Sequence, residues 1–484
     1  MIQKYFISIF IIVLLAAFAA YGQEFSSDSI GTKVYALNAP NSQSGQSFEL
    51  QQTDSAFCCQ KKYFWFTAGE IIALQIIPNF FNRHVSDDST AVLSVDSWKH
   101  NIETGFEWDP NNFAGNMFSH PFHGNVFFNA ARSNGYSFWG SAPFAFAGSF
   151  IWEMFGENNR GAINDWAMTS LGGITIGEGL HRAAKMLRDN TARGAGRAFR
   201  EIGGFLLDPV GGFNRAARGE MSKIGPNPQD RFPSKLNSFM NIGSRIVGDG
   251  RLNNADPATA YFALQMFYGD VMEDYKRPFD AFRLAFQLNG EDTTTFGLLQ
   301  IWCVLFGTEL RDDSKVKHVF TIDQMYDYAN NRTYEVGGQS FAFSLRSRWF
   351  LSNNRLFQTL VQPSVYIMTG IVSEFTNIGD RNYDFGSGFG FRVTGTYGDP
   401  NNYLFGIGYR GIYSYTLNGT KGTQIVHFGF AHAKYRLWRS VGIGADYIIF
   451  MRDSFNRNPA LPDTHSRNPE LRLSLSFFFN TIKF

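Results

Sequence analysis

From about residue 236 to the end of the chain, apolar and small or polar positions alternate with a period of two. Tyr383, Phe385, Ser387, Phe389, Phe391, Val393, Gly395 and Tyr397 fall on one face, and Asp384, Gly386, Gly388, Gly390, Arg392, Thr394 and Thr396 on the other, as a pleated strand requires. Tyr403, Phe405, Ile407, Tyr409, Tyr413 and Tyr415 repeat the pattern against Gly406, Gly408, Arg410 and Ser414. Asp399-Pro400-Asn401 and Leu417-Asn418-Gly419 supply the turns. Comparable stretches lie near 236–249, 259–269, 278–289, 296–309, 317–329, 334–351, 355–373, 422–437, 440–452 and 469–484. With the two above they make about twelve strands, an even number, as single-chain bacterial barrels have. No apolar run in this half is long enough for a membrane-spanning helix, whereas a crossing strand needs only about 9–11 residues. The pattern predicts an α+β membrane protein whose C-terminal part, 236–484, is an antiparallel transmembrane β-barrel. Its last strand carries Leu471, Leu473, Leu475, Phe477 and Phe479 and ends at Phe484. A terminal aromatic of this kind predicts outer-membrane assembly machinery as a partner; a bulge near Asn480 would bring Phe484 into phase.

Residues 60–205 read as helices instead. Tyr63 to Ile77 is largely apolar, interrupted mainly by Glu70 and Gln75, and Pro78 is expected to end it. His120 to Ala131, Ala142 to Phe155 and Asp165 to Arg188 continue in helical style. Asn164 is the expected cap of the last, and Gly173 and Gly177 are small residues four apart that permit a close helix contact. A connector is expected over 206–235. The inward strand faces are small at Gly386, Gly388, Gly390, Gly406, Gly408, Gly442 and Gly444. Either the N-terminal helices plug or cap the lumen, or these glycines ease strand curvature and packing within the wall.

The start of the chain changes the compartment. Lys4 precedes an apolar run from Tyr5 to Ala20, closed by Ala20-Tyr21-Gly22, and a Ser- and Gln-rich stretch follows. That layout predicts a signal peptide over 1–22 and a flexible leader over 23–59, hence export to the outer membrane of a Gram-negative cell. Phe, Tyr and Trp make up 17% of the residues, more than a core built from Leu, Ile and Val would need, and barrels use aromatic girdles at both membrane interfaces. A soluble β-sandwich, the rival for the same strands, would leave Gly, Arg, Ser and Thr outside and bury the aromatic faces on a second sheet. A net charge of +1 with dispersed basic residues excludes a nucleic-acid partner; outer-membrane lipids are the expected surroundings. Cys58, Cys59 and Cys303 form no disulfide framework.

The run His120-Pro121-Phe122-His123-Gly124, then Ala131-Arg132, Gly148-Ser149-Phe150-Ile151-Trp152-Glu153, Ile163-Asn164-Asp165, Gly172-Gly173, Gly177-Glu178, Arg182, Asp208-Pro209 and Asn214-Arg215, resembles an uncharacterised bacterial family, domain of unknown function 3943. The resemblance spans roughly 100–220. It implies an exported outer-membrane protein and no particular activity.

The helical part gathers ionisable residues in apolar surroundings: Asp109, His120, His123, Glu153, Asp165, Glu178, His181 and Arg182. Because a buried charge costs several kcal/mol unless paired, these groups are expected to meet one another. The candidate cluster is His120, His123, Glu153, Asp165, Glu178 and Arg182, and it admits three readings. His120 and His123 share a helix face and Glu178 to His181 has Glu-x-x-His spacing, as in carboxylate-bridged metal sites. Alternatively His120, oriented by Glu153 or Asp165, is a general base acting on a lipid ester or phosphate, with Ser149 as nucleophile although no Gly-x-Ser-x-Gly elbow surrounds it. Or the groups are a structural network, with Glu178 and Arg182 an i,i+4 pair. Arg392, Arg410 and Asp446, on inward strand faces, are expected to pair with plug residues. No cofactor is indicated. The preferred function is an outer-membrane barrel, structural or transport-related, occluded by its own helices; the alternative is a lipid-modifying hydrolase.

Overall fold

A computed structural model describes residues 61–85, 89–273, 277–291, 294–352 and 354–479. The expected signal peptide, leader and cleavage point, the Cys58-Cys59 pair, Asn480 and Phe484 lie outside the described residues.

The period-two half forms thirteen strands: β1 (Leu236–Asp249), β2 (Arg251–Ala255), β3 (Thr259–Tyr268), β4 (Phe282–Asn289), β5 (Phe296–Asp312), β6 (Val316–Asn330), β7 (Glu335–Phe350), β8 (Leu356–Val372), β9 (Tyr383–Asp399), β10 (Tyr403–Asn418), β11 (Gly422–Trp438), β12 (Val441–Asn456) and β13 (Thr464–Phe479). The short β2 folds back on the end of β1. The other twelve pair antiparallel with their neighbours, and β13 returns to β1 in register from Ser238 opposite Phe479 to Val247 opposite Glu470. The sheet is therefore a closed twelve-stranded barrel, which leaves no unpaired edge among those strands.

The pleat tells which face is the lumen, because only inward side chains can meet across it. Arg410 of β10 donates to Asp327 of β6 and to Tyr366 of β8. Arg472 of β13 donates to Gln287 of β4 at 2.7 Å. The Arg392 guanidinium of β9 lies 4.3 Å from the centre of the Trp302 ring of β5. Nearer one mouth, Tyr334, Val336, Tyr366, Ile371, Ile412, Val426 and Phe450 pack together inside the barrel. These side chains leave a cavity of about 190 Å³ between them. The expectation of helices in the lumen is thus corrected: the barrel's own side chains fill it. The inward glycines receive rings from neighbouring strands, with His432 over Gly406, Phe430 over Gly408 and Tyr366 beside Gly390. Arg410 likewise pairs with the wall and not with a plug.

Among the described residues seven α-helices precede the barrel: α1 (Phe64–His84), α2 (Val95–Thr104), α3 (His120–Ser133), α4 (Phe138–Ile151), α5 (Ile163–Leu187), α6 (Gly194–Leu207) and α7 (Pro209–Ala217). Helix α1 continues through Pro78 instead of stopping there, and the stretch expected as connector opens with α7. The bundle docks on the outside of the wall. Trp302 points into the lumen, so its neighbours Ile301 and Cys303 point out. These join Leu264, Met266, Leu284, Phe286, Leu299, Tyr326, Met368, Tyr383 and Phe385 in one core with Met117, Phe128, Met168, Ile174 and Leu180 of the helical part. Cys303 is buried and unpaired by any disulfide.

Helix α5 runs the length of the wall. Near its start, Asn164 lies by Asn116, whose amide donates to Tyr383 at the beginning of β9. Near its other end, Arg182 donates 2.7 Å to the Pro278 carbonyl in the connection between β3 and β4. Twenty-five residues span about 37 Å at ~1.5 Å per residue. Helix α3 crosses α5 so closely that a Cβ on Gly124 would lie 1.7 Å from the Thr169 carbonyl oxygen, and one on Gly173 would lie 2.3 Å from the Gly124 carbonyl carbon. Small residues here let two backbones touch.

Gly173→Ala pushes a methyl into backbone and is expected to destabilise the bundle by at least the ~1–3 kcal/mol typical of overpacking. Gly69→Ala on α1 meets no atom within 4 Å and should be neutral or stabilising by up to about 1 kcal/mol. Thermal unfolding followed by tryptophan fluorescence separates the two; equal midpoints would show that the crossing is not tight.

Candidate functional site

The six residues singled out from sequence do not form one cluster. His120, Glu153 and Asp165 come together, each offering an atom within 4.8 Å of the others. They arrive from three segments. His120 opens α3 directly after a π-helical turn at Gly115–Ser119, Glu153 sits in a second π turn, Trp152–Gly156, that ends α4, and Asp165 is in the first turn of α5. Two such wide turns beside one group of side chains are unusual, and π turns recur at functional sites. Glu178 and Arg182 lie on the same helix as Asp165 but thirteen and seventeen residues further along, about 20–25 Å away at ~1.5 Å per residue.

The upper group is held by neutral donors. The Ala162 amide donates to Glu153 Oε2 at 2.8 Å. Asn164 donates to Asp165 Oδ1 at 2.6 Å, while its own carbonyl accepts from the Asp109 amide at 2.9 Å. Asn164 is therefore no helix cap: the helix begins at Ile163, and its N-cap residue, Ala162, makes no side-chain cap. The Thr169 hydroxyl lies 3.3 Å from His120 Nδ1, and His120 Nε2 lies 3.6 Å from Asp165 Oδ2. Asp109 stands beside this group, bonded by Asn116 at 2.9 Å and by the Asn111 amide at 3.0 Å. Burial pushes its carboxyl above the ordinary value, against the bonds from Asn116 and Asn111. Arg381 donates to the Asp109 carbonyl at 3.4 Å and to Asn418.

The lower group is built differently. Glu178 receives Arg132 through Nε at 2.6 Å and Nη2 at 3.1 Å, and Arg182 Nε at 2.8 Å. His181, one of the expected metal ligands, faces Asp208 at 3.3 Å, and Arg188 lies 3.6 Å from the same carboxylate. Asp208 also caps α7 by accepting from the Gly211 amide at 2.9 Å. Every carboxylate in this group has a cation, so it reads as a structural ion-pair network that ties α3, α5 and α7 together. The i,i+4 pair of Glu178 and Arg182 is present.

His123 belongs to neither group. Its ring lies 4.6 Å from Phe127 and 4.9 Å from Trp152, and it hydrogen-bonds the Leu74 backbone. Pro78 has no N–H, so the Leu74 carbonyl four residues earlier has no helical partner. His123 thus takes up the bond that Pro78 vacates, which is how α1 passes through a proline. Ser149 is fully buried and its hydroxyl lies 3.4 Å from the Trp166 carbonyl. Sequence reading missed Asn116, Thr169, Asp208 and Tyr383 as partners, because each reaches the site only through tertiary packing; the Asn164-Asp165 pair was the nearest available signal.

The segment 105–210 matches the family model described as Domain of unknown function (DUF3943). It covers both polar groups and the helices that dock on the wall, and it bears out the resemblance read from His120-Pro121-Phe122-His123-Gly124 onward. No curated protein matches the chain. Among solved structures, the outer membrane channel DcaP of Acinetobacter baumannii is similar over 50% of this chain and 96% of its own, at 9% identity and a TM-score of 0.26. The NanC porin matches over 49% and 98%, at 9% identity and 0.27. OmpT of Vibrio cholerae matches over 50% and 97%, at 7% identity and 0.23. At those scores the likeness adds nothing to what the strand register establishes.

His123→Phe keeps an aromatic ring but leaves the Leu74 carbonyl unpaired, a loss of about 1–3 kcal/mol for a buried group. Pro78→Ala restores the helical N–H. The expected result of the double-mutant cycle is that His123→Phe costs much less in the Pro78→Ala background. Equal costs in both backgrounds would show that His123 has another task.

Proposed function

We propose that this protein is a non-conducting outer-membrane β-barrel that serves as the membrane platform for a helical bundle, and that the bundle is its working part. One observation carries the reading: the helices cover outward residues of β3 to β6 and one end of β7 to β9, where Gly337, Met368, Gly370, Tyr383 and Phe385 lie, while Phe343, Leu345, Val361 and Val365 further along β7 and β8 stay exposed at the same level. The rest of the outward face is uncovered and mainly apolar, with Phe389 and Ile407 65% and 69% exposed and Phe405, Leu473 and Leu475 beside them. A barrel whose belt meets lipid on one side must hold whatever docks on its other side in lipid too.

The outermost helix fits that place. Between Phe64 and Phe81 the exposed residues of α1 are Phe64, Trp65, Phe66, Gly69, Ile72, Ala73, Ile76, Ile77, Phe80 and Phe81, with no polar side chain among them. The exposed stripe of α4, Trp139, Pro143, Ala147 and Phe150, is equally apolar. Lys61 and Lys62 flank α1 at one end and Arg83 and His84 at the other, where long cationic or polar side chains reach an interface. Helix α6 is amphipathic and exposes Phe199, Ile202, Phe205 and Leu206, as a helix lying in a membrane interface does.

The majority of the turns supports one orientation. Strand connections at the end that holds Leu236 and Phe479 are short at 313–315, 351–355, 400–402 and 439–440 and long at 269–281, while the opposite end has 373–382 and 457–463 beside the short 331–334 and 419–421. Short turns face the periplasm and long loops the exterior. The His120, Glu153 and Asp165 group then lies toward the outer leaflet, and the Glu178 group toward the periplasmic one.

In planar bilayers the purified protein should show no steady conductance, and a stable ohmic step would overturn the closed reading. A bimane label on Ile76→Cys, in a protein with Cys58, Cys59 and Cys303 replaced by Ala or Ser, should be quenched by brominated lipid as strongly as one on Ile407→Cys. Quenching by aqueous iodide at position 76 alone would take the bundle out of the bilayer.

A further inference from the structure

We propose that His120, Glu153 and Asp165 bind one divalent transition cation of the zinc or manganese class. The three residues supply the mixed imidazole and carboxylate donors that such ions accept. They converge from three separate helical segments, with Glu153 and Asp165 6% and 4% exposed and the His120 side chain 17%.

The way each side chain is held favours an ion at the centre. Every one of the three is anchored through one atom and keeps another toward its partners. Glu153 gives Oε2 to the Ala162 amide, and no bond to Oε1 is formed among the described residues. Asp165 gives Oδ1 to Asn164 and turns Oδ2 toward His120. His120 has Nδ1 near the Thr169 hydroxyl and Nε2 toward Asp165. Orienting partners on the far atom of each ligand are what metal sites use to aim and polarise their donors.

Charge balance gives a second, independent argument. Two carboxylates sharing a desolvated pocket repel each other, and Asp109 adds a third acid nearby. Among the described residues neither Glu153 nor Asp165 forms an ion pair with Lys or Arg; Arg381 donates to the Asp109 carbonyl and to Asn418. At the other end of the same helix the chain neutralises Glu178 with two arginines and Asp208 with Arg188 and His181. The sequence thus provides arginine for its buried acids in one place and leaves them unbalanced in the other, where the geometry suits a cation. This inference does not depend on where the bundle sits relative to lipid, and its test uses detergent-solubilised protein.

The full-length protein is stripped with EDTA, equilibrated with ZnCl2 or MnCl2, freed of excess metal and analysed by mass spectrometry of the element. The expected result is about one ion per chain for the native sequence. His120→Ala, Glu153→Gln and Asp165→Asn should each lower the affinity at least tenfold, and His427→Gln on the exposed wall should leave it unchanged. Unfolding of a variant is controlled by a second readout: without metal, Glu153→Gln and Asp165→Asn should melt at or above the native temperature, since each removes an unbalanced charge. Added metal should then raise the midpoint of the native protein alone. Failure of the native protein to retain either ion, or the same metal-dependent rise in Asp165→Asn, overturns the proposal.

Discussion

Consecutive residues of a pleated strand point to opposite sides, and that constraint sorts every other feature of this molecule. Gln300 and Trp302 face the lumen while Ile301 and Cys303 face the bundle. The inward set is polar apart from the apolar cluster around Ile412 and Phe450, and its members meet one another across the barrel. The outward set is mainly apolar, yet it has two different neighbours: helices on β3 to β6 and one end of β7 to β9, and an uncovered surface over the rest. A one-residue slip in any strand would exchange the two sets, so the lumen, the bundle and the bare belt all depend on the same register.

Where charges are buried, the two ends of the bundle solve the same electrostatic problem in opposite ways. At one end arginine meets glutamate and aspartate directly, in a network that joins three helices. At the other, asparagine, threonine and backbone amides hold two acids and a histidine in place without neutralising them. Nothing in the folding of the helices requires this second arrangement, because an apolar filling of similar volume would be less costly. Its retention is the reason the upper group draws attention as a functional centre.

The strands were legible because period two is a strong signal, and their number and order follow the reading closely. The position of the helices was not. An outward Leu284, Phe286 or Ile301 looks the same whether it meets lipid or a neighbouring helix, so alternation alone cannot tell a covered wall from a bare one. A clue was present in Leu298 to Leu305, which is apolar on both faces apart from Gln300 and so reads as buried on both. The inward glycines pointed to spare volume, but that volume is taken by His432, Phe430 and Tyr366 of adjacent strands. Pro78 and Asn164 were misjudged for a shared reason: each departs from its usual local role because a residue distant in sequence, His123 or Asp109, supplies or takes a hydrogen bond. The polar residues of the candidate site were visible as types, whereas their division between two ends of one helix needed the helix to be placed.

Helix α5 carries Asp165, Thr169, Thr175, Glu178, His181 and Arg182, too many polar groups for a segment that has to dissolve in hydrocarbon by itself. Its suitability for the membrane is borrowed from its neighbours: α3 and α4 cover one side, the barrel supplies the other, and the arginines neutralise what remains. In the proposed placement such a segment is compatible with lipid only after docking. The barrel wall therefore acts as a solvent for a helix, in the place where a membrane protein built only of helices would use more helices.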